Sequence, residues 1–193
     1  PCIAYATYKL FKKNKNATIV VSPSDHLITN ENLFLETIER AMNYASGHDV
    51  LFTLGIKPTR PETAYGYIQT NKAERVKIGD WEAYGVKTFT EKPDADLAKV
   101  FVDSGEFLWN SGIFIWNIKT IMNELETYLP EIANSFKDGI DLYYTDAESS
   151  YIKGIYEACN GISIDYGVME RTNKSLVMEA NFGWSDMGTW HSL

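Results

Sequence analysis

The sequence predicts an α/β domain built on a mixed, mainly parallel sheet. Three observations predict it. Strand-like and helix-like segments alternate along the chain. The first full alternation has the spacing of a βαβ unit, which joins parallel strands. And 45% of the 193 residues are hydrophobic, enough for one core of ordinary domain size without metal or disulfide staples.

The elements follow in order. Ile3, Tyr5, Ala6 and Leu10 recur at helical spacing, which predicts a helix over 1–13. Ala17 to Ser22 is a short β-branched run, the pattern of a buried strand. Leu33, Phe34, Ile38, Ala41, Met42 and Ala45 form one face of a helix, with Thr29 or Asn30 as its N-cap and Gly47 past its end. Val50 to Leu54 is the next strand and completes the βαβ unit. The middle of the chain is strand-rich, with extended segments predicted at 65–69, 76–78, 86–90 and 107–116. Between the last two, Pro93 opens and Gly105 closes a short helix over 94–103. Helices are predicted over 117–127, 130–137 and 147–160, then a strand over 175–180. The last residues, Trp190 to Leu193, read as the opening turn of another helix. Both ends therefore read as cut, since domains usually begin and end in exposed flexible segments.

Composition excludes several classes. The net charge is −8, and the only lysine cluster is Lys9, Lys12, Lys13 and Lys15 at a helix end, so no nucleic acid is expected as a partner. No apolar run approaches the roughly 20 residues that span a bilayer, and the start lacks a signal-peptide pattern, so no membrane is expected either. Cys2 and Cys159 make no disulfide framework and read as free thiols of a reducing cytoplasm. There is no Gly-rich phosphate loop, zinc spacing or Gly-x-Ser-x-Gly elbow.

Five constellations are candidates for chemistry. In Val20-Val21-Ser22-Pro23-Ser24-Asp25-His26 a strand runs into a polar turn, and ligands of open α/β sheets sit beyond strand carboxyl ends. Asp25 either faces a ligand there or bonds its own backbone, and His26 reads better as a satisfied half-buried side chain. Gly183-Trp184-Ser185-Asp186-Met187-Gly188-Thr189-Trp190 places a second Asp in a Gly-rich turn after a strand. Two carboxylates delivered from two strand ends suit Mg²⁺, which takes one or two and completes its shell with water and phosphate oxygens. In Phe89-Thr90-Glu91-Lys92-Pro93-Asp94, Lys92 is placed to hold a phosphate as a point charge and Glu91 to accept sugar hydroxyls. The alternative is a surface pair ahead of a helix. In Trp109-Asn110-Ser111-Gly112-Ile113-Phe114 the strand pattern breaks, either for a ligand approach or as a bulge. In Pro61-Glu62-Thr63-Ala64-Tyr65-Gly66-Tyr67-Ile68, Gly66 lets backbone approach a ligand with Tyr65 or Tyr67 as a wall; a plain turn into a strand is the alternative.

These segments, together with Ile164-Asp165-Tyr166-Gly167-Val168-Met169-Glu170, stand in the order found in mannose-1-phosphate guanylyltransferases, and the resemblance runs through the whole chain. It implies the three-layer, Rossmann-like nucleotidyltransferase fold. It implies conversion of GTP and mannose 1-phosphate to GDP-mannose and pyrophosphate with Mg²⁺. Carried over by motif, Asp25 and Asp186 are the metal ligands, and Gly66, Glu91, Lys92 and Asn110 contact the sugar phosphate, with Tyr67 and Ser111 beside them. Asp165 and Glu170 lie in a family motif without an assigned role. The family's Arg-containing, Gly-rich nucleotide loop does not precede Pro1, and its continuation past Trp190 is absent. Residues 1–193 thus read as a partial nucleotidyltransferase domain, truncated at both ends and expected to be inactive as given, with a core face left open to self-association as a homo-oligomer. Competing expectations are a transferase for another sugar or nucleotide, a noncatalytic binding module of the same fold, and a glycosyltransferase. The last would use an Asp-x-Asp metal motif such as Asp94-Ala95-Asp96, although a helix cap is the better reading of that segment.

Overall fold

A computed structural model describes residues 1–188; the expected helical turn at Trp190 lies outside the described residues. Helix α1 (Cys2–Lys13), strands β1 (Thr18–Val21) and β2 (Leu27–Ile28), helix α2 (Glu31–Gly47) and strand β3 (Leu51–Ile56) come first. Then follow β4 (Tyr67–Ile78), β5 (Trp81–Thr90), α3 (Ala95–Ser104) and β6 (Phe107–Asn117). The last elements are α4 (Ile118–Tyr128), α5 (Pro130–Lys137), α6 (Glu148–Ala158), a π-helical turn (Asp165–Met169), β7 (Ser175–Ala180) and β8 (Trp184–Ser185).

Local chemistry explains the boundaries. Asn30 caps α2 by accepting from the Leu33 N–H at 3.1 Å. Asp94 does the same for α3 from Leu97 at 2.8 Å, and Gly105 ends that helix at φ 65°. Asp94 is thereby a cap, as the alternative reading of Asp94-Ala95-Asp96 held. The predicted extended segments 65–69 and 76–78 are one long strand, β4, joined to β5 through a tight turn whose Gly79 sits at φ 62°.

The main sheet has the order β1-β6-β3-β7-β5-β4, and β4 also pairs with β6, so five strands close into a ring with β1 outside it. Inside the ring Ile68, Leu108 and Val177 pack together. Gly55 makes this possible, because a Cβ there would stand 2.6 Å from Leu108 Cδ1 and 2.8 Å from Val177 Cγ2.

The sheet is mixed, as expected, but its pairings correct the expectation of a mainly parallel one. Among the described residues only β3 and β7 pair in parallel; every other pairing is antiparallel. The cause is β6. β1 and β3 run the same way, as a βαβ unit requires, but β6 inserts between them and bonds to both. It can do so because both its faces are apolar. Phe114 and Trp116 pack under α1, α4 and α5, while Ile113 and Ile115 pack under α2. Two helix layers thus sandwich the sheet, which is the three-layer arrangement.

Candidate active site

Two groups of polar side chains gather at the ends of the strands. The first is built on β4, β5 and β6. Thr53 pairs with Phe114 and Gly55 with Asn110, so two steps along β3 match four along β6. This bulge contains Gly112 at φ 69° and re-aims Asn110. The bulge and the ligand approach, posed as alternatives by the sequence, are one feature.

The Asn110 amide is held on both ends. Its Oδ1 accepts from Thr53 Oγ1 at 3.2 Å and from the Gly112 N–H at 3.1 Å, and its Nδ2 donates to Asp165 Oδ1 at 2.8 Å. The Asn110 N–H donates to the Gly66 carbonyl at 2.8 Å. Gly66 in turn faces Glu91: a Cβ at Gly66 would lie 2.5 Å from Glu91 Oε2. Gly66, Glu91 and Asn110 are therefore neighbours from three strands. Lys92 stands beside them, its Nζ 3.4 Å from Glu91 Oε1 and its side chain largely exposed. Its φ is 47°. That region is uncommon for a side-chain-bearing residue and contrary to the extended bias of a residue before proline. Such strain concentrates at functional sites.

The electrostatics here are acidic. Burial pushes the Asp165 carboxyl up, Asn110 opposes this, and the Glu91 charge adds to the rise. Glu170 is also raised, by burial first and then by Asp165 and Glu91.

The second group forms around the two-stranded sheet of β2 and β8, in which Leu27 pairs with Ser185 and Ile28 with Trp184. That pairing brings the turn carrying Asp25 and the turn carrying Asp186 to the same place, and both charges act on the His26 ring. His26 is partly desolvated, which lowers its pKa, and Trp184 Nε1 donates to its Nδ1 at 3.0 Å. The half-buried, satisfied reading of His26 thus holds. Asp186 Oδ1 accepts from Tyr65 OH at 2.8 Å and from the Gly188 N–H at 3.1 Å. Tyr65 is the link between the groups. It packs edge-on against Trp109 and Trp184 and directly precedes Gly66.

Two expected contacts do not reach the site. Tyr67 is fully buried; its hydroxyl accepts from the Glu62 N–H at 2.9 Å, and its ring packs on Phe101. Strand alternation points it away from Gly66. Ser111 is buried too, donating to the Leu54 carbonyl at 2.7 Å inside the bulge. Asp165 is the side chain that motif reading left without a role. Its signal in the sequence was an acid in an ordered motif far from the strands, and only folding joins it to Asn110.

The geometry can be set beside known proteins. A sequence profile described as nucleotidyl transferase matches residues 2–193. The chain belongs to the nucleotidyl transferase family. It is 40% identical over its whole length to the mannose-1-phosphate guanylyltransferase of Salmonella montevideo and 35% identical to one from Escherichia coli, covering 41% of each. The chain thus spans about two fifths of these curated relatives. A crystal structure of mannose-1-phosphate geranyltransferase from Thermus thermophilus superposes with a TM-score of 0.81 at 28% identity, over 98% of this chain and 52% of that one. The fold expectation, a Rossmann-like nucleotidyltransferase domain, stands on these matches. No helix among the described residues is long and apolar enough to cross a membrane.

Proposed function

We propose that the protein containing this chain transfers GMP from GTP to mannose 1-phosphate, giving GDP-mannose and pyrophosphate in the cytoplasm. The observation that carries the reading is the convergence of Gly66, Glu91 and Asn110 from three strands, with the Lys92 ammonium at their edge. The names of the relatives over this whole stretch support the choice of sugar and base.

In this reading Glu91 accepts hydrogen bonds from hydroxyls of the mannose ring, and the Asn110 amide donates one to a sugar oxygen. Lys92 neutralises the sugar phosphate. A phosphate oxygen of mannose 1-phosphate attacks the α-phosphorus of GTP. The bond to the β-phosphate oxygen breaks, and pyrophosphate leaves with that electron pair. The nucleophile is already anionic, so the chain need supply no strong base; positioning and charge neutralisation do the work.

Asp25 and Asp186 would hold Mg²⁺. No group of three or more acidic, His or Cys side chains able to hold a metal exists among the described residues. Two hard carboxylates, one of them aimed by Tyr65 and Gly188, fit an ion that keeps positions for water and phosphate. When bound, that ion would offset the charge of the triphosphate and of the leaving pyrophosphate. The chain spans about two fifths of its curated relatives, so turnover is proposed for the protein that contains it.

Calorimetric titration with mannose 1-phosphate and Mg²⁺, then with GTP, tests this. Binding of the sugar phosphate that is lost in Lys92→Ala, with little response to GTP, is the expected result. Equal binding of glucose 1-phosphate would move the reading to another sugar-1-phosphate nucleotidyltransferase. A noncatalytic module would keep its ligand in both Asp25→Ala and Asp186→Ala.

A further inference from the structure

Helix α6 lies over an unfilled apolar space. Among the described residues it is the only helix with none of its own residues buried. Polar groups pin it instead: Tyr151 OH donates to the Ser135 carbonyl at 2.8 Å, and Glu148 accepts from the Tyr144 N–H at 2.8 Å and pairs with Lys9. Between α6 and α5 is a cavity of about 930 Å³. Tyr151, Gly154, Ile155 and Ala158, spaced i, i+3, i+4 and i+7 along one helix face, line it from α6, and Leu129 and Ile132 line it from the other side. Small-molecule sites occupy roughly 300–1,000 Å³. Gly154 keeps the space open. It stands in a helix interior, where glycine is less favourable than alanine. Neither packing nor backbone requires it: a Cβ there would meet nothing within 4 Å, and its φ is not positive. Gly161, past the end of α6, faces open space in the same way. Natural chains break local rules of this kind mostly where function requires it. Among the described residues, exposed Glu131 is the only charged one that lines the cavity, so nothing there would neutralise a phosphate or a carboxylate.

The cavity shares its walls with the π-helical turn 165–169. Leu129 lies against that turn, because a Cβ at Gly167 would stand 2.8 Å from Leu129 Cδ1. Arg171 Nη1 donates to the carbonyl of Tyr128, another wall residue, at 3.4 Å. Ile162, a third, runs directly into the turn. We propose that this cavity is a second binding site, for a neutral, apolar small molecule, and that filling it steadies the turn and with it the Asn110 amide bonded to Asp165. A molecule seated on Leu129 holds that side chain against Gly167. The cavity and the strand-end site are then coupled, each favouring occupation of the other. Neither the cavity nor its link to the turn depends on which sugar the strand-end site takes.

Nile red, a neutral apolar dye, is the probe, titrated into the wild-type chain and into Gly154→Leu and Gly161→Leu, whose side chains grow into the empty space. Fluorescence should show saturable one-to-one binding to wild type, weakened about tenfold or more in Gly154→Leu. The melting temperature of that variant should be unchanged or raised, since leucine is the better helix former. Should Gly154→Leu fail to fold, Gly161→Leu, outside the helix, carries the same test. Hydrogen exchange read by mass spectrometry should show the dye slowing amides of α6 and also those of residues 165–171. No saturable binding to wild type, or equal binding to wild type and both variants, overturns the site. Protection confined to α6 overturns the link to the turn. A wild-type dimer in sedimentation velocity that dissociates in Gly154→Leu would make this face an interface between copies and overturn the small-molecule assignment.

Discussion

Replacing Gly66 by Ala separates what the site does from what holds the fold. The added Cβ would lie 2.5 Å from Glu91 Oε2 and 3.4 Å from Asn110 Cβ. The second distance is ordinary contact; the first is not tolerated. Gly66 is not among the glycines with positive φ, so the backbone accepts Ala. The clash is with the far end of a flexible side chain, and Glu91 relieves it by swinging outward. An off-rotamer adjustment costs about 0.5–1.5 kcal/mol. The reduced freedom of the unfolded chain returns about 0.4–1 kcal/mol. At about 2–4 °C per kcal/mol for a chain of this size, the melting temperature should move by less than about 5 °C. Binding should respond far more. The swing removes one charge-assisted hydrogen bond, about 1.5–3 kcal/mol, which is about 10- to 150-fold in affinity for mannose 1-phosphate. Calorimetric titration and thermal unfolding of the same preparation give both numbers. Affinity within twofold of wild type would refute the assignment of Glu91 to the ligand. A fall of more than about 10 °C would show that Gly66 serves packing instead.

Other perturbations have outcomes of their own. Lys174 lies 2.7 Å from Asp49 and 2.9 Å from Glu124, whose side chain is only 6% exposed. Lys174→Met leaves that carboxylate buried and unpaired. It should cost about 2–3 kcal/mol, toward the lower side of buried pairs because Lys174 is partly solvated, and Glu124→Gln in the same chain should recover much of the loss in melting temperature. The Lys174 ammonium also holds the Asp49 carboxyl below its ordinary value of 3.8. The unfolded chain then binds more protons at low pH, so this stabilisation is present above that value and lost as pH falls through the folded one. Lys174→Met should flatten the acid limb of the stability curve. Gly183→Ala combines φ 67° with a Cβ driven into Thr29 Oγ1, so urea unfolding should show a loss of more than about 1 kcal/mol and a weakened β2–β8 pairing. Asp25→Asn and Asp186→Asn should each reduce the Mg²⁺ dependence of ligand binding with little change in melting temperature; unchanged Mg²⁺ response in both would remove the pair from the metal.

Helix α2 was legible from its helical period and the Asn30 cap, and strands β1 and β3 from their short apolar runs. Pro93, Asp94 and Gly105 bracketed α3 by chemistry that acts within a few residues. The two-residue strands β2 and β8 were not legible, since neither has a period, and each exists only because the other lies beside it. The π-helical turn at Asp165 was missed for a similar reason: what holds it is packing against Leu129 and the bond to Asn110. Tyr67 and Ser111 were read as ligand contacts from their place in motifs. A motif names neighbours along the chain, whereas strand alternation sends adjacent side chains to opposite faces.

By itself the sequence determined the α/β class and the helix ends, because periodicity, capping and turn chemistry are short-range; the candidacy of Asp25, Gly66, Glu91, Lys92, Asn110 and Asp186 came from motifs whose order resembles that of a known family. The tertiary structure alone decided that β6 enters between β1 and β3 and turns a parallel unit into a mainly antiparallel sheet. It alone decided that Asp165 meets Asn110 across 55 residues of chain, and that Tyr65 ties the Asp186 turn to the Gly66 strand. Those pairings depend on which apolar faces find one another in three dimensions, and no local pattern encodes that choice.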